Sequence, residues 1–431
     1  MKRALINLLI FFVFLMPLPS LAEEKQNRIL TGSITLVQAL KITLRNNPDL
    51  RAFSYEIRAR EAQTLQAGMI FNPILDVQVE NAIGSGNFNG FDQSETTVQL
   101  KQMVELGDKR KLRKGSAKLS KEIAGWDYKI QRLGVLTRVT QSYIHVLKAQ
   151  QKLSLTGERV KLAEKLLITV SERIKAGKVA VIEKIKTEIA LANIRIEEER
   201  ARMKLKNVRR QLSVLWGETK PHFDFASGDF FSVPDRPFLE RKAVNPNISK
   251  WTTVLAHRQA QVDVEISKTI PDITFSGGYR RLEEMGDNAL VFGVTVPLNW
   301  FNRNQGGIAN ARHRLSQIKE EKKAATLKFE EDLLQAYSEV SFSHARVISI
   351  KTEILPAINK ALDAMNEGYR FGKFGLLDVM DSQKTFFQVQ SQYIDALADY
   401  HNAIAEVESL TGVDPIDSTK FMRNGEGENR P

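Results

Sequence analysis

The chain has 431 residues, 42% hydrophobic and 26% charged, a balance that excludes both a disordered chain and a bundle of membrane-spanning helices. It has no cysteine, which excludes a disulfide framework and thiolate-bound metal. The formal net charge of +11 does not point to nucleic acid. Charges alternate in sign along helical stretches such as Glu197-Glu198-Glu199-Arg200-Ala201-Arg202, as on a solvated helix face.

Residues 1–22 read as a secretory signal peptide. Lys2 and Arg3 form the positive start, and Leu8 to Met16 is a short apolar run broken by Pro17 and Pro19. Ser20-Leu21-Ala22 fits the small-x-small cleavage pattern, so cleavage is expected after Ala22. A membrane anchor is the competing reading, but the run is too short to span a bilayer. No later stretch reaches about 18 apolar residues, so any membrane crossing must use β-strands.

The remainder is a tandem repeat. Asn47-Pro48 recurs as Asn245-Pro246, Gln141-Ser142-Tyr143 as Gln335-Ala336-Tyr337, and Gly177-Lys178 as Gly372-Lys373. Leu215-Trp216-Gly217 recurs as Leu410-Thr411-Gly412. These anchors divide the chain into a first repeat (23–217), a linker (218–244), a second repeat (245–412) and a C-terminal tail (413–431). Each repeat opens with a helix of about 20 residues whose first residue is proline, a good start because proline's missing N–H is unpaired there in any case. A strand pair follows, within 73–104 and 272–296. Then come very long helices, Lys109 to Lys175 and Gln305 to Phe371. Glycine breaks the chain at tips near 176–178 and 371–375. Return helices run Val181 to Trp216 and Leu376 to Leu410, with apolar rows Ile182, Ile185, Ile189, Ala192, Ile196 and Tyr393, Leu397, Tyr400, Ile404, Val407. That spacing reads as the seam of helices packed side by side. One long helix has room for two shorter ones stacked end to end along it.

The strands alternate apolar and polar residues, as in Leu75, Val77, Val79 against Asp76, Gln78, Glu80. The links between them are turn-rich, so each pair reads as a hairpin. A small soluble sheet is one reading. The other is part of a membrane barrel, which four strands cannot close alone; three copies would supply twelve.

Signal peptide, tandem halves, paired hairpins and very long helices together resemble the TolC-like outer-membrane factors, from about Thr35 to Gly412. The most specific stretch is Gly368-Tyr369-Arg370-Phe371-Gly372-Lys373-Phe374-Gly375-Leu376-Leu377-Asp378-Val379-Met380-Asp381, similar to that family's periplasmic tip. Pro297-Leu298-Asn299-Trp300-Phe301-Asn302-Arg303-Asn304-Gln305-Gly306 resembles the strand-to-helix junction of the CzcC-like heavy-metal branch. The resemblance implies a mainly helical fold with a small β part. It implies a homotrimer in outer-membrane lipid, with a twelve-stranded barrel, a helical tunnel into the periplasm and an equatorial belt from linker and tail. It further implies a passive exit duct fed by a periplasmic adaptor and an inner-membrane pump of the resistance-nodulation-division type; the junction stretch makes metal cations the first expectation for its cargo, with drugs, dyes or secreted peptides as the alternatives. No catalysis, cofactor or nucleic acid is expected. The competing function is a periplasmic adaptor or structural coiled-coil protein, which would show one helical hairpin rather than two.

By the same resemblance, Asp378 and Asp381 match an acidic pair at the periplasmic entrance, and Tyr369 a position that helps hold it closed. The alternatives are a solvated helix face for the aspartates and tip packing for Tyr369. The first repeat has Glu183 and Lys186 at the positions equivalent to the aspartates, so the pair is not duplicated. Gly177, Lys178, Gly372, Lys373 and Phe374 are the expected adaptor contacts, although glycine there also serves a positive φ. Phe374 stands where TolC itself carries an arginine near the acidic pair, so the same salt-bridge lock is not expected here. None of the six histidines is paired at helical spacing, so no dedicated metal site is expected.

Overall fold

The computed structural model describes residues 32–234 and 245–418. The expected signal peptide lies outside the described residues, as do 235–244 of the linker and 419–431 of the tail.

The described chain begins with β1 (Ser33–Thr35) and α1 (Leu36–Asn46), neither expected from the sequence. Thr35 Oγ1 accepts the Gln38 N–H at 3.3 Å while Gln38 Oε1 accepts the Thr35 N–H at 2.8 Å, a reciprocal cap that starts α1. Then follow α2 (Pro48–Ala67), β2 (Ile74–Glu80), β3 (Glu95–Val104), the 67-residue α3 (Lys109–Lys175) and α4 (Val181–Val214). At 1.5 Å per residue α3 is roughly 100 Å long. The linker contributes β4 (Phe225–Ser227), which pairs in parallel with β1. The linker part of the expected equatorial belt thus contains a paired strand. The second repeat comprises α5 (Pro246–Ser267), β5 (Ile273–Leu282), β6 (Asp287–Thr295), α6 (Gln305–Ser349), α7 (Leu355–Arg370) and α8 (Leu376–Thr411), followed by the short α9 (Pro415–Ser418).

The second long helix is not uniform. A π-turn at Ile350–Ile354 separates α6 from α7, with the Leu355 N–H bonded to the Ile350 carbonyl. Pro356 follows directly. Its ring would clash with the carbonyl four residues back and it has no N–H to give, so the wider turn relieves what a regular α-turn cannot. α3 contains no proline and runs unbroken.

The expected end-to-end stacking has a specific cause. Asn47 Nδ2 donates to the Leu215 carbonyl at 2.7 Å while its Oδ1 accepts the Leu50 N–H at 2.9 Å. Asn245 repeats this, donating to the Leu410 carbonyl at 2.7 Å and accepting the Asn247 N–H at 2.6 Å. Each buried amide ties the last turn of a return helix to the first turn of a short one, α4 onto α2 and α8 onto α5. α3 packs against α2 and α5 along one half and α4 and α8 along the other, and α6 packs against α5 and α8. The result is one curtain of helices, with α2/α4 at one edge and α6/α7 at the other.

The main core sits midway, where Leu136, Tyr143, Ile144 and Leu147 of α3 meet α1, β4, α6 and α8. Gln150 extends the β1–β4 ladder: its Oε1 accepts the Ala226 N–H at 2.7 Å and its Nε2 donates to the Ala226 carbonyl at 3.0 Å. His401 Nε2 bonds the Phe230 carbonyl at 2.9 Å and His344 Nε2 the Pro234 carbonyl at 2.7 Å, fixing the linker to α8 and α6.

The two apolar rows read as helix seams fare differently. In α8, Tyr393, Leu397, Tyr400 and Val407 are buried. In α4, Ile182, Ile185, Ile189 and Ile196 are all exposed, and it is Thr187, Leu191 and Ile194 that face α3. The seam expected within the chain is therefore an open edge on α4.

The four long strands form one antiparallel sheet in the order β2-β3-β5-β6. Register places Leu75 beside Leu100, Val98 beside Tyr279 and Tyr279 beside Leu290. One face is therefore an apolar surface of Leu75, Val77, Val98, Leu100, Leu290 and Phe292, all exposed. The other carries ion pairs: Lys101–Asp76 at 2.5 Å and Arg280–Glu95 at 2.8 Å. A ten-residue strand such as β3, tilted about 45°, covers roughly the apolar thickness of a bilayer. Among the described residues, no helix is long and apolar enough to cross a membrane.

Helix tips and the candidate channel entrance

The two tips are built alike. In the first, Gly177 has φ +68°, its N–H bonds the Ile174 carbonyl at 2.9 Å, and the Lys178 N–H bonds the Arg173 carbonyl at 2.9 Å. In the second, Gly372 has φ +75°, its N–H bonds the Tyr369 carbonyl at 3.0 Å, and the Lys373 N–H bonds the Gly368 carbonyl at 2.8 Å. This is the paired closure of a helix end that needs a left-handed residue, for which glycine has no Cβ penalty. Gly177, Lys178, Gly372, Lys373 and Phe374 are all exposed.

Side chains distinguish the tips. Tyr369 is 3% exposed and packs with Leu166 and Val170 of α3 and Leu376 and Val379 of α8. The Arg173 guanidinium lies over its ring at 4.3 Å and also donates to its carbonyl. The Tyr369 hydroxyl donates to Glu183 Oε2 at 3.4 Å. Burial pushes the phenol up, and the Glu183 carboxylate adds to this while Arg173 opposes it. Tyr369 of the second repeat is thus gripped by Arg173 and Glu183 of the first.

Sequence reasoning did not find this grip. The signal lay in the repeat: four residues before the tip glycine stand Arg173 in one half and Gly368 in the other. Gly368 is small because Phe374 covers it; a Cβ there would lie 2.3 Å from the Phe374 ring. Phe374, where TolC has arginine, therefore packs on its own tip, and the cation against Tyr369 is Arg173.

Asp378 lies in the first turn of α8, where its Oδ2 accepts the Gly375 N–H at 2.9 Å and caps the helix. Asp381 lies one turn on, exposed, at the wall of a cleft of about 550 Å³ between α8 and the α3–α4 pair, with Arg159, Glu197, Met380 and Lys384. Asp378 and Asp381 lie within one turn of each other on α8, 9 and 12 residues after Tyr369 along the chain. Among the described residues no group of three or more histidines and carboxylates is placed to hold a metal ion.

A family model described as outer membrane efflux protein matches residues 39–218 and 240–413, one match for each structural repeat. The chain belongs to this family. It is 30% identical, over 96% of its length and 100% of the relative's, to the cobalt-zinc-cadmium resistance protein CzcC of Cupriavidus metallidurans. It is 22% identical to the outer membrane protein TolC of Escherichia coli K12, over 86% of this chain and 80% of that one. Among solved structures, CusC superposes with a TM-score of 0.73 at 14% identity, covering 87% of this chain and 91% of the other. As an outer membrane efflux protein, the chain is the channel component of an efflux system and resides in the outer membrane, with its helices extending into the periplasm. The family consists of channels, not enzymes.

Proposed function

We propose that three copies close into one duct that carries metal cations outward through the periplasm and the outer membrane. One observation carries the reading: the helical curtain and the sheet are left open on the same two sides. β2 and β6 are the unpaired sheet edges, above α2/α4 and α6/α7 respectively. α4 presents its isoleucine row at one edge, and α6 presents exposed Leu327, Leu334 and Phe342. Head-to-tail contact of unlike edges generates a ring when the rotation between copies closes. Closure leaves no strand edge in lipid, where an unpaired backbone group is costly. Three copies give twelve strands, with the apolar face outward and the ion-paired face toward the lumen.

At the other end, Asp378 and Asp381 of three copies would ring the entrance and favour cations between low-dielectric walls. The Arg173–Tyr369–Glu183 grip joins the two helical hairpins of one protomer and restrains their parting. The exposed tips at Gly177-Lys178 and Gly372-Lys373-Phe374 suit the periplasmic adaptor, which delivers cargo from a resistance-nodulation-division type pump. Cation cargo is the reading that fits both the acidic pair and the likeness to a cobalt-zinc-cadmium resistance protein.

Single-channel recording in a planar bilayer tests this, comparing wild type with the double variant Asp378→Asn, Asp381→Asn. The expected result is a cation-selective pore whose selectivity falls in the variant. A selective pore indifferent to the substitutions overturns the acidic entrance. Protein that leaves membranes with salt alone overturns the channel itself.

A further inference from the structure

The apolar row on the lipid-facing side of the sheet does not stop where the strands stop. On β6 it runs Leu290, Phe292, Val294, then continues past the last strand residue as Val296, Leu298 and Trp300, all exposed. On β2 the same face, followed backward past Ile74, reaches exposed Phe71 and Met69. The two outer strands therefore each carry an aromatic ring, Trp300 and Phe71, where the lipid-facing row meets the helices. Phe301, beside Trp300, is 90% exposed, the most exposed large apolar side chain among the described residues.

The two joints share a design. Both long helices start from a residue with φ +56°, Asp108 before α3 and Asn304 before α6. Both set an arginine beside the aromatic: the Arg113 guanidinium lies 5.5 Å from the centre of the Phe71 ring, and Arg303 Nε donates to the Trp300 carbonyl at 3.3 Å. Cations are also in excess here. The run Lys109-Arg110-Lys111-Leu112-Arg113-Lys114 has five cations in six residues. Lys109 is paired with Asp272 and Arg113 with Glu105, but Arg110, Lys111, Lys114 and Arg303 are exposed and have no carboxylate within 4.0 Å among the described residues.

An exposed tryptophan at the end of a lipid-facing strand suits the headgroup level of a bilayer, where its ring is half in apolar surroundings and half wet. Cations just beyond it meet phosphate there. We infer that the strand-to-helix joints form a collar that binds anionic phospholipid headgroups of the periplasmic leaflet, through Trp300, Phe301 and Phe71 together with Arg110, Lys111, Lys114 and Arg303. The collar fixes the depth at which the barrel sits. It is separate from the entrance at the far end of the helices.

Fluorescence quenching in vesicles tests it, using the full mature protein and brominated lipids. The signal of Trp300 is the difference between wild type and Trp300→Phe. At equal lipid fraction, brominated phosphatidylglycerol should quench that signal at least about twofold more than brominated phosphatidylcholine. The preference should vanish in about 0.5 M salt and in the variant Arg110→Gln, Lys111→Gln, Lys114→Gln, Arg303→Gln. The salt arm needs no substitution, so a variant that fails to assemble does not remove the test. Equal quenching by both lipids overturns the anionic site. No quenching by either overturns the collar, because the joint is then covered by a neighbouring copy.

Discussion

The return helices α4 and α8 hold equivalent places in the two repeats, yet they treat their apolar rows in opposite ways. The row of α8 lies in the protomer core, against α3, α6 and α7. The row of α4 is open. The difference follows from position in the curtain: α8 is stacked on α5 inside it, and α4 is stacked on α2 at its edge. An apolar row at an edge has no partner within one chain. The sheet repeats the lesson, with Leu75 and Phe292 exposed although they would be core residues in a soluble sheet. Under the proposed closure, these exposed apolar side chains would meet a neighbouring copy on α4 and lipid on the strands.

The comparison can be broken most severely at its buried side. Leu397 of α8 is fully buried, and Leu397→Ala should cost about 2–5 kcal/mol of protomer stability, read as a fall in the denaturant midpoint. On the sheet, Phe292→Arg should cost about 2–4 kcal/mol when unfolding is measured from vesicles. Phe292→Leu should be nearly silent. A tolerated arginine would mean that this face does not meet lipid. Next come the two asparagine joints. Asn47→Ala and Asn245→Ala each remove one bond across a buried helix junction, and each should cost about 1–3 kcal/mol. Closely matched losses would confirm that the repeats are held by one device; a loss in only one would show that they have diverged. On α4, Ile189→Ala should change stability by less than about 0.5 kcal/mol in a monomeric sample, as for other exposed positions. In the assembled sample the loss should be several times larger, and that ratio measures the proposed edge contact directly.

The gentlest effect expected is on pH dependence in the equatorial core. Burial holds the His401 imidazole below its ordinary value of 6.5, opposed by the Phe230 carbonyl and the Asp229 carboxylate. Above pH 6.5 the ring is neutral in the folded and unfolded chain alike. As pH falls below 6.5, the unfolded chain takes up a proton that the folded chain does not, so stability falls until the folded value is passed. His401→Gln should flatten that slope in pH-dependent thermal unfolding. His145 and His257, also lowered chiefly by burial, should keep part of it.

Much of this architecture was legible from local chemistry. The ends of α3 at Lys109 and Lys175, the proline starts of α2 and α5, and the two strand pairs all follow from signals that act over a few residues. So do the tip glycines: a left-handed position and a helix stop are properties of the backbone at one place. The β1–β4 pair was not legible because three-residue strands carry no period to read. The π-turn was missed because Pro356 inside a long helical pattern can be met by a kink, a break or a wider turn, and neighbouring packing selects among them.

The sequence by itself determined the long helices, the two strand pairs, their order and the twofold plan, because proline starts, turns and hydrophobic periods are set by near neighbours along the chain. Only the tertiary structure decided which apolar row became core and which became edge, since both rows have the same spacing and differ only in what the fold places beside them. It also decided the contacts at the helix tips. Arg173, Glu183 and Tyr369 are separated by up to 196 residues and share no motif; the packing of α3 against α4 and α8, and of α7 against α8, brings them into one grip. Contacts of that kind depend on where whole helices come to rest, which local sequence signals do not encode.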